Sequence, residues 1–309
     1  MEAALSADLS ADHQETAECA GMTPDDDYSL FTCELCGSDD FAEIVELREH
    51  TAGQPIHVCR VCGFVQVIRR RNPERIAEVW AKELYQSEYT ARIPAVKARH
   101  IYVAETIDVA IGLRGKSVCD IGAGEGFFLE ILRDQYGAEI FGVEPSTANC
   151  ARMTSQGIDC FDGTAEQFMT SAQQRRFDIV TVIWTLENSN SCRQLMDAAW
   201  HLLRDDGYVV VATGSRILVP FKKPLDYYLG PNPADTHSFR FSANTLNGLL
   251  AETGFERTYV NHYIDSDVLC MIASRTDRSQ PIAWSRDDWR RVNEFFSRWH
   301  QDTVFYKTA

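Results

Sequence analysis

The chain has 309 residues, of which 45% are hydrophobic and 11% are aromatic. This composition can fill a globular core of ordinary or larger size, so it excludes a disordered protein. The formal net charge of −15 argues against a nucleic-acid partner, because binding to phosphates needs a basic surface.

Residues 1–27 carry many Asp and Glu residues, no Lys or Arg, and few large apolar residues. We expect them to form a disordered acidic tail. The N-terminus has no basic start followed by an apolar run, and no stretch approaches the roughly 18 apolar residues of a membrane span. These patterns predict a cytoplasmic protein without a signal peptide or membrane span, in which cysteines stay reduced.

Two cysteine pairs and two strand-like runs, at 44–47 and 56–58, lie in residues 28–72, which we predict to be a small metal-binding module. The pairs are Cys33-x-x-Cys36 and Cys59-x-x-Cys62, and a glycine follows each pair. Redox pairs or four free buried thiols are alternatives, but a doubled Cys-x-x-Cys motif is typical of zinc sites. Four cysteine ligands leave no open coordination position, so the predicted Zn²⁺ is structural.

Residues 73–111 are predicted to form a helical linker or lid, interrupted near Pro94. Tyr85 and Tyr89 lie on it, where they either cover a bound ligand or simply pack. From Ser117 onward, short apolar runs alternate with helix-compatible stretches, which is typical of βαβ units in a parallel sheet. Five such strands are predicted, at 118–121, 140–143, 160–161, 179–184 and 208–212.

Two further strand-like runs, at 257–263 and 268–274, follow a helix at 243–253 that Ser242 caps. The sequence therefore predicts one α/β domain over residues 112–275. Residues 276–309 contain a last predicted helix, at 286–300. Its apolar side chains recur at helical spacing, which predicts burial in the core or against a second subunit.

The first strand of the α/β domain ends in a glycine-rich turn that opens a helix. Gly122, Gly124 and Gly126 let the backbone approach a ligand closely, and Glu144 ends the next strand. An acidic residue at this place accepts hydrogen bonds from ribose hydroxyls. An ordinary tight turn is the alternative, but the strand before it and the helix after it favour a nucleoside site.

The acidic side chains of this turn favour S-adenosylmethionine over a dinucleotide. Asp120 precedes the first glycine and Glu125 lies between later ones, where they would repel a pyrophosphate but suit a sulfonium and an ammonium group. Asp162 and Gly163, after the third strand, form an acidic turn that can hydrogen-bond the adenine amino group. We therefore predict S-adenosylmethionine as the cofactor.

Together these motifs resemble those of the class I S-adenosylmethionine-dependent methyltransferases. Residues 118–126 resemble the family's first motif, residues 177–188 its fourth-strand motif and residues 202–211 its fifth-strand entry. The resemblance covers about residues 110–275 and implies a Rossmann-like α/β fold with a seven-stranded sheet closed by an antiparallel hairpin. It implies cofactor contacts from Asp120, Gly122, Ala123, Gly124, Glu144, Asp162 and Gly163.

A cysteine module in front of such a domain resembles the sugar methyltransferases of deoxysugar and surface-polysaccharide pathways. Residues 59–66 match their second cysteine pair well, although the insert between the pairs is shorter here. The fourth strand, which often ends in Glu-His in those enzymes, ends in Glu187-Asn188. This departure leaves the catalytic base open and weakens the case for C-methylation.

A methyl acceptor must be oriented and, if it is a hydroxyl or an activated C–H, must lose a proton. We choose His237 as the candidate base because imidazole titrates near neutral pH, although it could instead tie its loop to the sheet. Glu187 either positions the acceptor or caps a helix. Tyr227 and Tyr228 either bind the substrate or pack.

The resemblance to the sugar methyltransferases implies an enzyme that methylates an oxygen or carbon of a sugar or nucleotide-linked sugar. Lys222 and Lys223 would suit a phosphate-bearing acceptor, with a solvated surface pair as the alternative. Two other functions stay open: N-methylation of an amine metabolite, and a non-catalytic scaffold that binds S-adenosylmethionine. The complete cofactor motif and the acceptor loop favour the enzyme.

Overall fold

The computed structural model describes residues 28–51, 54–71, 93–172, 175–214, 237–262 and 268–303. They form a central sheet covered by helices and, beside it, smaller sheets that carry the cysteine pairs. None of the helices in these ranges is long and apolar enough to cross a membrane. The acidic tail predicted at residues 1–27 lies outside the described residues.

The cysteine module contains strands β1 (Tyr28–Leu30), β2 (Phe41–Glu43), β3 (His57–Cys59), β4 (Val65–Gln66) and β5 (Arg69–Arg71). β2, β3 and β4 are antiparallel neighbours, and β1 pairs with β5. The strand-like run predicted at 44–47 is wrong, because a 3-10 turn, Val45–His50, occupies it. Ile44 and Leu47 are both fully buried, and a spacing of three residues places both on one side of such a turn.

The chain continues through β6 (Ser117–Ile121), β7 (Glu139–Glu144), β8 (Asp159–Asp162), β9 (Phe177–Ile183), β10 (Leu203–Thr213), β11 (Phe239–Arg240), β12 (Phe255–Val260) and β13 (Leu269–Arg275). Seven of them form the central sheet, in the order β12-β13-β10-β9-β6-β7-β8. β6 to β10 are parallel, and β13 is antiparallel to both of its neighbours. The seven-stranded sheet with its closing antiparallel pair is therefore confirmed.

Helices cover both faces of the central sheet, because successive side chains of its inner strands point to opposite sides. One face carries α1 (Ile93–Ile111), α2 (Phe127–Tyr136) and α3 (Thr147–Ser155). The other carries α4 (Ala165–Thr170), α5 (Cys192–Leu202) and α6 (Ala243–Glu252). The side chain of Ser242 accepts a hydrogen bond from the Thr245 backbone, which confirms the predicted cap of α6.

The last helix, α7 (Trp289–Thr303), packs on the cysteine module. Val292, Phe296 and Trp299 are buried against apolar side chains that lie between Ile44 and Val67. The helix predicted at 286–300 is confirmed, with its start at Trp289. Its apolar stripe belongs to the core of the module.

β11 joins the module to the rest of the chain. It pairs antiparallel with β4, and the Val67 N–H donates to the Ser238 carbonyl at 2.9 Å. It also contacts the 3-10 turn Leu186–Asn188 that follows β9. The guanidinium of Arg193 donates to the carbonyls of Glu34 and Leu35 at 2.9 and 2.7 Å. The module is therefore held beside the carboxyl end of β9.

Candidate functional site

The glycine-rich turn after β6 lies at the carboxyl edge of the central sheet, where ligands bind in such folds. Gly122 has a φ of +72°, and a Cβ there would overlap the side chain of Thr185, just after β9. At Gly126, φ is +85° and a Cβ would come within 2.7 Å of Met153. Both positions therefore require glycine, because the φ angle and the close packing of Thr185 and Met153 leave no room for a side chain.

Glu144 fixes a carboxylate beside this turn, at the end of β7. The Gly124 N–H donates to it at 2.9 Å and the Ser146 N–H donates at 3.0 Å. The residue is 5% exposed, and burial raises the pKa of its carboxyl. The position and the acceptor oxygens fit a ribose, so the geometry is compatible with the predicted role of Glu144.

Asp120 is buried beneath the turn, and its carboxylate meets a neighbouring strand. Thr181 Oγ1 donates to Asp120 Oδ1 at 2.6 Å. Burial is the largest of the effects that raise the pKa of Asp120 to about 7. Glu125, the other acidic residue of the turn, pairs with Arg152 at 3.0 Å. Both carboxylates thus have protein partners, and their direct contact with a cofactor stays a prediction.

The turn after β8 adjoins the same edge. The Gly163 N–H donates to the Glu144 carbonyl at 3.0 Å, and Asp162 is exposed, so its side chain can reach a ligand. Behind this turn, Cys150 of α3 and Cys160 of β8 form a disulfide. That pair differs from the expectation that the cysteines stay reduced.

The exit of β9 faces the glycine turn and has an unusual backbone. Trp184 has a φ of +53°, a conformation that costs a residue with a side chain about 1–3 kcal/mol and that clusters at functional sites. Glu187 is buried in the 3-10 turn that follows. Asn188 Nδ2 donates to the Trp184 carbonyl at 2.9 Å, and its buried Oδ1 has no hydrogen-bond partner among the described residues. Asn188 therefore offers an acceptor oxygen at this exit.

His237 lies just before β11, on the segment that joins the module. Its carbonyl accepts a hydrogen bond from Arg240 Nη1 at 3.0 Å, and the adjacent Ser238 is bound to the module. These are backbone contacts, so the role of the His237 side chain, as a base or as a tie to the sheet, stays a prediction. The other candidates named above lie outside the described residues: Tyr227, Tyr228, Lys222, Lys223, Tyr85 and Tyr89.

His100 is a candidate that the sequence patterns did not single out. Its ring, on α1, lies between the rings of Phe128 and Trp184, with centroids 5.5 and 5.7 Å away. Its Nδ1 is buried and has no hydrogen-bond partner in the described part of the chain. Burial lowers the pKa of His100 to about 4, so the ring is neutral near pH 7. Local spacing does not distinguish it from a packing residue, and only the fold brings it to the exit of β9.

The four cysteines of the module converge on one point. The Sγ–Sγ distances are 3.6 Å between Cys33 and Cys62 and 3.5 Å between Cys36 and Cys59. A tetrahedral Zn²⁺ with Zn–S bonds of about 2.3 Å has S–S edges of about 3.8 Å, so the cluster fits this ion. The glycine after each pair has a φ of +75°, as the tight turns require.

The sequence is similar to known methyltransferases. A family model described as a methyltransferase domain matches residues 95–260. The ubiquinone biosynthesis O-methyltransferase of Pseudomonas aeruginosa (strain LESB58) is 32% identical over 161 residues, which are 48% of this chain and 68% of that protein. A protein of the same name from Actinobacillus pleuropneumoniae is 29% identical over 142 residues, covering 42% of this chain and 60% of that protein.

Solved structures share the fold. The 1,6-didemethyltoxoflavin-N1-methyltransferase of Burkholderia thailandensis, with bound 1,6-didemethyltoxoflavin and S-adenosylhomocysteine, has a TM-score of 0.51 at 17% identity, over 72% of this chain and 96% of that one. The magnesium protoporphyrin IX methyltransferase of Synechocystis PCC 6803 has a TM-score of 0.52 at 13% identity, over 66% of this chain and 100% of that one. At these identities the likeness concerns the fold alone.

Proposed function

The chain belongs to the methyltransferase-domain family, as an S-adenosylmethionine-dependent enzyme that acts on a small molecule, and we propose that its acceptor is a sugar or nucleotide-linked sugar, methylated on oxygen or carbon. The observation that carries this proposal is the cysteine module beside the exit of β9. Such a module in front of such a domain is the feature by which this chain resembles the sugar enzymes.

We propose that the cofactor lies across the glycine turn, with its ribose on Glu144 and its adenine beside Asp162 and Gly163. Two backbone N–H groups already hold the Glu144 carboxylate in place, so little ordering is needed when the ribose binds. The bound cofactor supplies a methyl group that its positive sulfur has already activated. What remains for the protein is to orient the acceptor and to remove its proton.

Two histidines are candidates for the base that removes this proton. His237 comes from the segment that leads into β11, next to the exit of β9. His100 approaches from α1 on the other face, with a neutral ring beside Trp184 and an Nδ1 that has no hydrogen-bond partner among the described residues. Glu187 and Asn188 lie in the 3-10 turn after β9, at the edge of the sheet. They would orient the acceptor hydroxyls. We keep His237 as the base and His100 as its alternative.

We further propose that the four cysteines bind one structural Zn²⁺. The four Sγ atoms lie close enough together to contact one ion, with 3.6 Å between Cys33 and Cys62 and 3.5 Å between Cys36 and Cys59. With all four positions of a tetrahedral ion filled by cysteine, no site is left for substrate. The ion would therefore act indirectly, by holding the module in the conformation that borders the acceptor site.

A second candidate function is O-methylation of a ubiquinone-pathway intermediate. The 32% identity to the Pseudomonas aeruginosa enzyme favours it, although the matched part covers 48% of this chain. An aromatic acceptor of that kind would need apolar contacts around its ring. A sugar would instead need several hydrogen-bonding groups, such as Glu187 and Asn188.

The experiment is turnover of methyl-labelled S-adenosylmethionine by the full chain against a panel of acceptors. The panel contains nucleotide-linked deoxysugars, the matching free sugars and aromatic diols, with products identified by mass spectrometry. Glu144→Ala is the control that should lose cofactor-dependent labelling. Methylation of a sugar supports the proposal. Methylation of aromatic diols alone overturns it in favour of the second candidate, and cofactor binding without turnover favours a scaffold.

A further inference from the structure

Three potential metal ligands from distant parts of the chain meet where the module contacts α7. Glu49 and His50 lie at the end of the 3-10 turn of the module, and His300 lies in the last turn of α7. Glu49 Oε1 is 3.1 Å from His50 Nε2 and 3.3 Å from His300 Nδ1. The two ring nitrogens are 3.3 Å apart. The three donor atoms thus form a nearly equilateral triangle.

This triangle has the dimensions of one face of a metal site. Zn²⁺ with bonds of about 2.0–2.1 Å to nitrogen and oxygen has ligand–ligand edges of about 3.3 Å in a tetrahedron. Hydrogen bonds from both imidazoles to Glu49 Oε1 would account for two of the three distances, whereas one ion shared by the three donor atoms accounts for all three together.

We propose that Glu49, His50 and His300 bind a second divalent metal ion of the zinc type, distinct from the ion of the four cysteines. Two imidazoles and a carboxylate are a donor set that Zn²⁺ accepts. The His50 side chain is only 1% exposed, which holds its ring in place, while the exposed Glu49 leaves the ion a route from solvent.

A neighbouring contact keeps the two elements aligned. Ser297, one turn before His300 on α7, donates from Oγ to Glu46 Oε1 at 2.5 Å. Glu46 lies one 3-10 turn before Glu49, as Ser297 lies about one turn before His300, so the two contacts run side by side. The buried cluster of α7 on the module, with Phe296 and Trp299, adjoins them. The ion would clip α7 to the module.

The test is metal content of the full chain after saturation with Zn²⁺ and removal of unbound ion by gel filtration. We expect about two equivalents per chain in the wild type and about one in His300→Gln and in Glu49→Gln. The second variant changes an exposed carboxylate, so it tests the site even if His300→Gln fails to fold. His262→Gln, at an exposed histidine outside the triangle, is the matched control and should keep both equivalents.

A second measurement separates this site from the cysteines. With Co²⁺ in place of Zn²⁺, the thiolate-to-metal absorption of the four-cysteine site should persist in His300→Gln and Glu49→Gln. Once the four-cysteine site holds its one equivalent, further Zn²⁺ should raise the Tm of the wild type and of His262→Gln but not that of the two ligand variants. The proposal is overturned if the wild type saturates at about one equivalent, or if both ligand variants retain about two.

Discussion

Replacing Asp120 by Asn would measure how much a buried carboxyl under the glycine turn lowers the free energy of unfolding of this protein. Asp120 is 3% exposed and accepts a hydrogen bond from Thr181. Burial is the main cause that raises its pKa from the ordinary 3.8 to about 7. Asn keeps the shape and the oxygen that accepts the Thr181 hydroxyl, but it has no proton to lose. The variant therefore isolates the effect of the charge.

The sign follows from proton binding. The folded protein holds the Asp120 proton more tightly than the unfolded chain does, so protonation contributes stability below about pH 4 that is lost as pH rises to about 7. Asp120→Asn has no such loss. The difference between 3.8 and about 7, at about 1.4 kcal/mol for each pKa unit, corresponds to about 4 kcal/mol. The variant should therefore gain stability over the wild type by up to about this amount above pH 7.

The assay is urea unfolding followed by tryptophan fluorescence at several pH values between about 4 and about 8. Comparison of the two proteins at the same pH cancels any loss of metal that they share. Asp302→Asn, at an exposed position on α7, is the matched control. A difference in unfolding free energy that stays constant over this pH range would mean that Asp120 is ionised throughout, and would refute the reasoning.

Glu144→Ala should weaken binding of S-adenosylmethionine and of its demethylated product by about 10- to 150-fold, because the ribose hydroxyls lose a charge-assisted partner worth about 1.5–3 kcal/mol. Calorimetry that shows unchanged affinity would contradict the ribose role. Cys59→Ser should release the zinc of the four-cysteine site and lower the Tm of the protein. Cys119→Ser, outside the two pairs, should keep this zinc, and metal analysis distinguishes the two variants. His237→Ala should lower kcat by about 10²–10⁴ with cofactor affinity unchanged, and the pH–rate profile should lose its acidic limb. An intact limb would move the role of base to His100.

The central sheet could be predicted because its signals are local. Val118 and Cys119 point to opposite faces, and both faces are covered by helices, so the strand appears as a continuous apolar run. Asp120 pairs with Gly142, so β6 and β7 end together at one edge. Strand ends and glycine turns therefore locate Glu144 beside the glycine turn without any knowledge of distant contacts.

The contacts between distant segments could not be predicted in this way. β11 is two residues long and pairs with β4, far earlier in the chain, and neither strand has a pattern that specifies the other. His100 is one polar residue in a helical stretch, and only the positions of Phe128 and Trp184 give it meaning. The apolar run at 44–47 is too short for its pattern to separate a strand from a 3-10 turn. The cysteine site could be predicted from the chemistry and spacing of its side chains. The positions of β11, His100 and the 3-10 turn depend on tertiary packing, which local patterns do not show.

The way the module is completed has a consequence for a chain still on the ribosome. β4 meets its outer partner only when residues 239–240 have been made, and the apolar side chains of Ile44 and Val58 are covered only after α7 has emerged. Until then, the unpaired edge of β4 and the apolar surface around Ile44 and Val58 are exposed. They can associate incorrectly with other nascent chains. All four cysteines emerge early, so the proposed zinc would stabilise the module during that interval, together with the pairing of β2, β3 and β4. In cells starved of zinc, this protein should therefore aggregate while it is being synthesised.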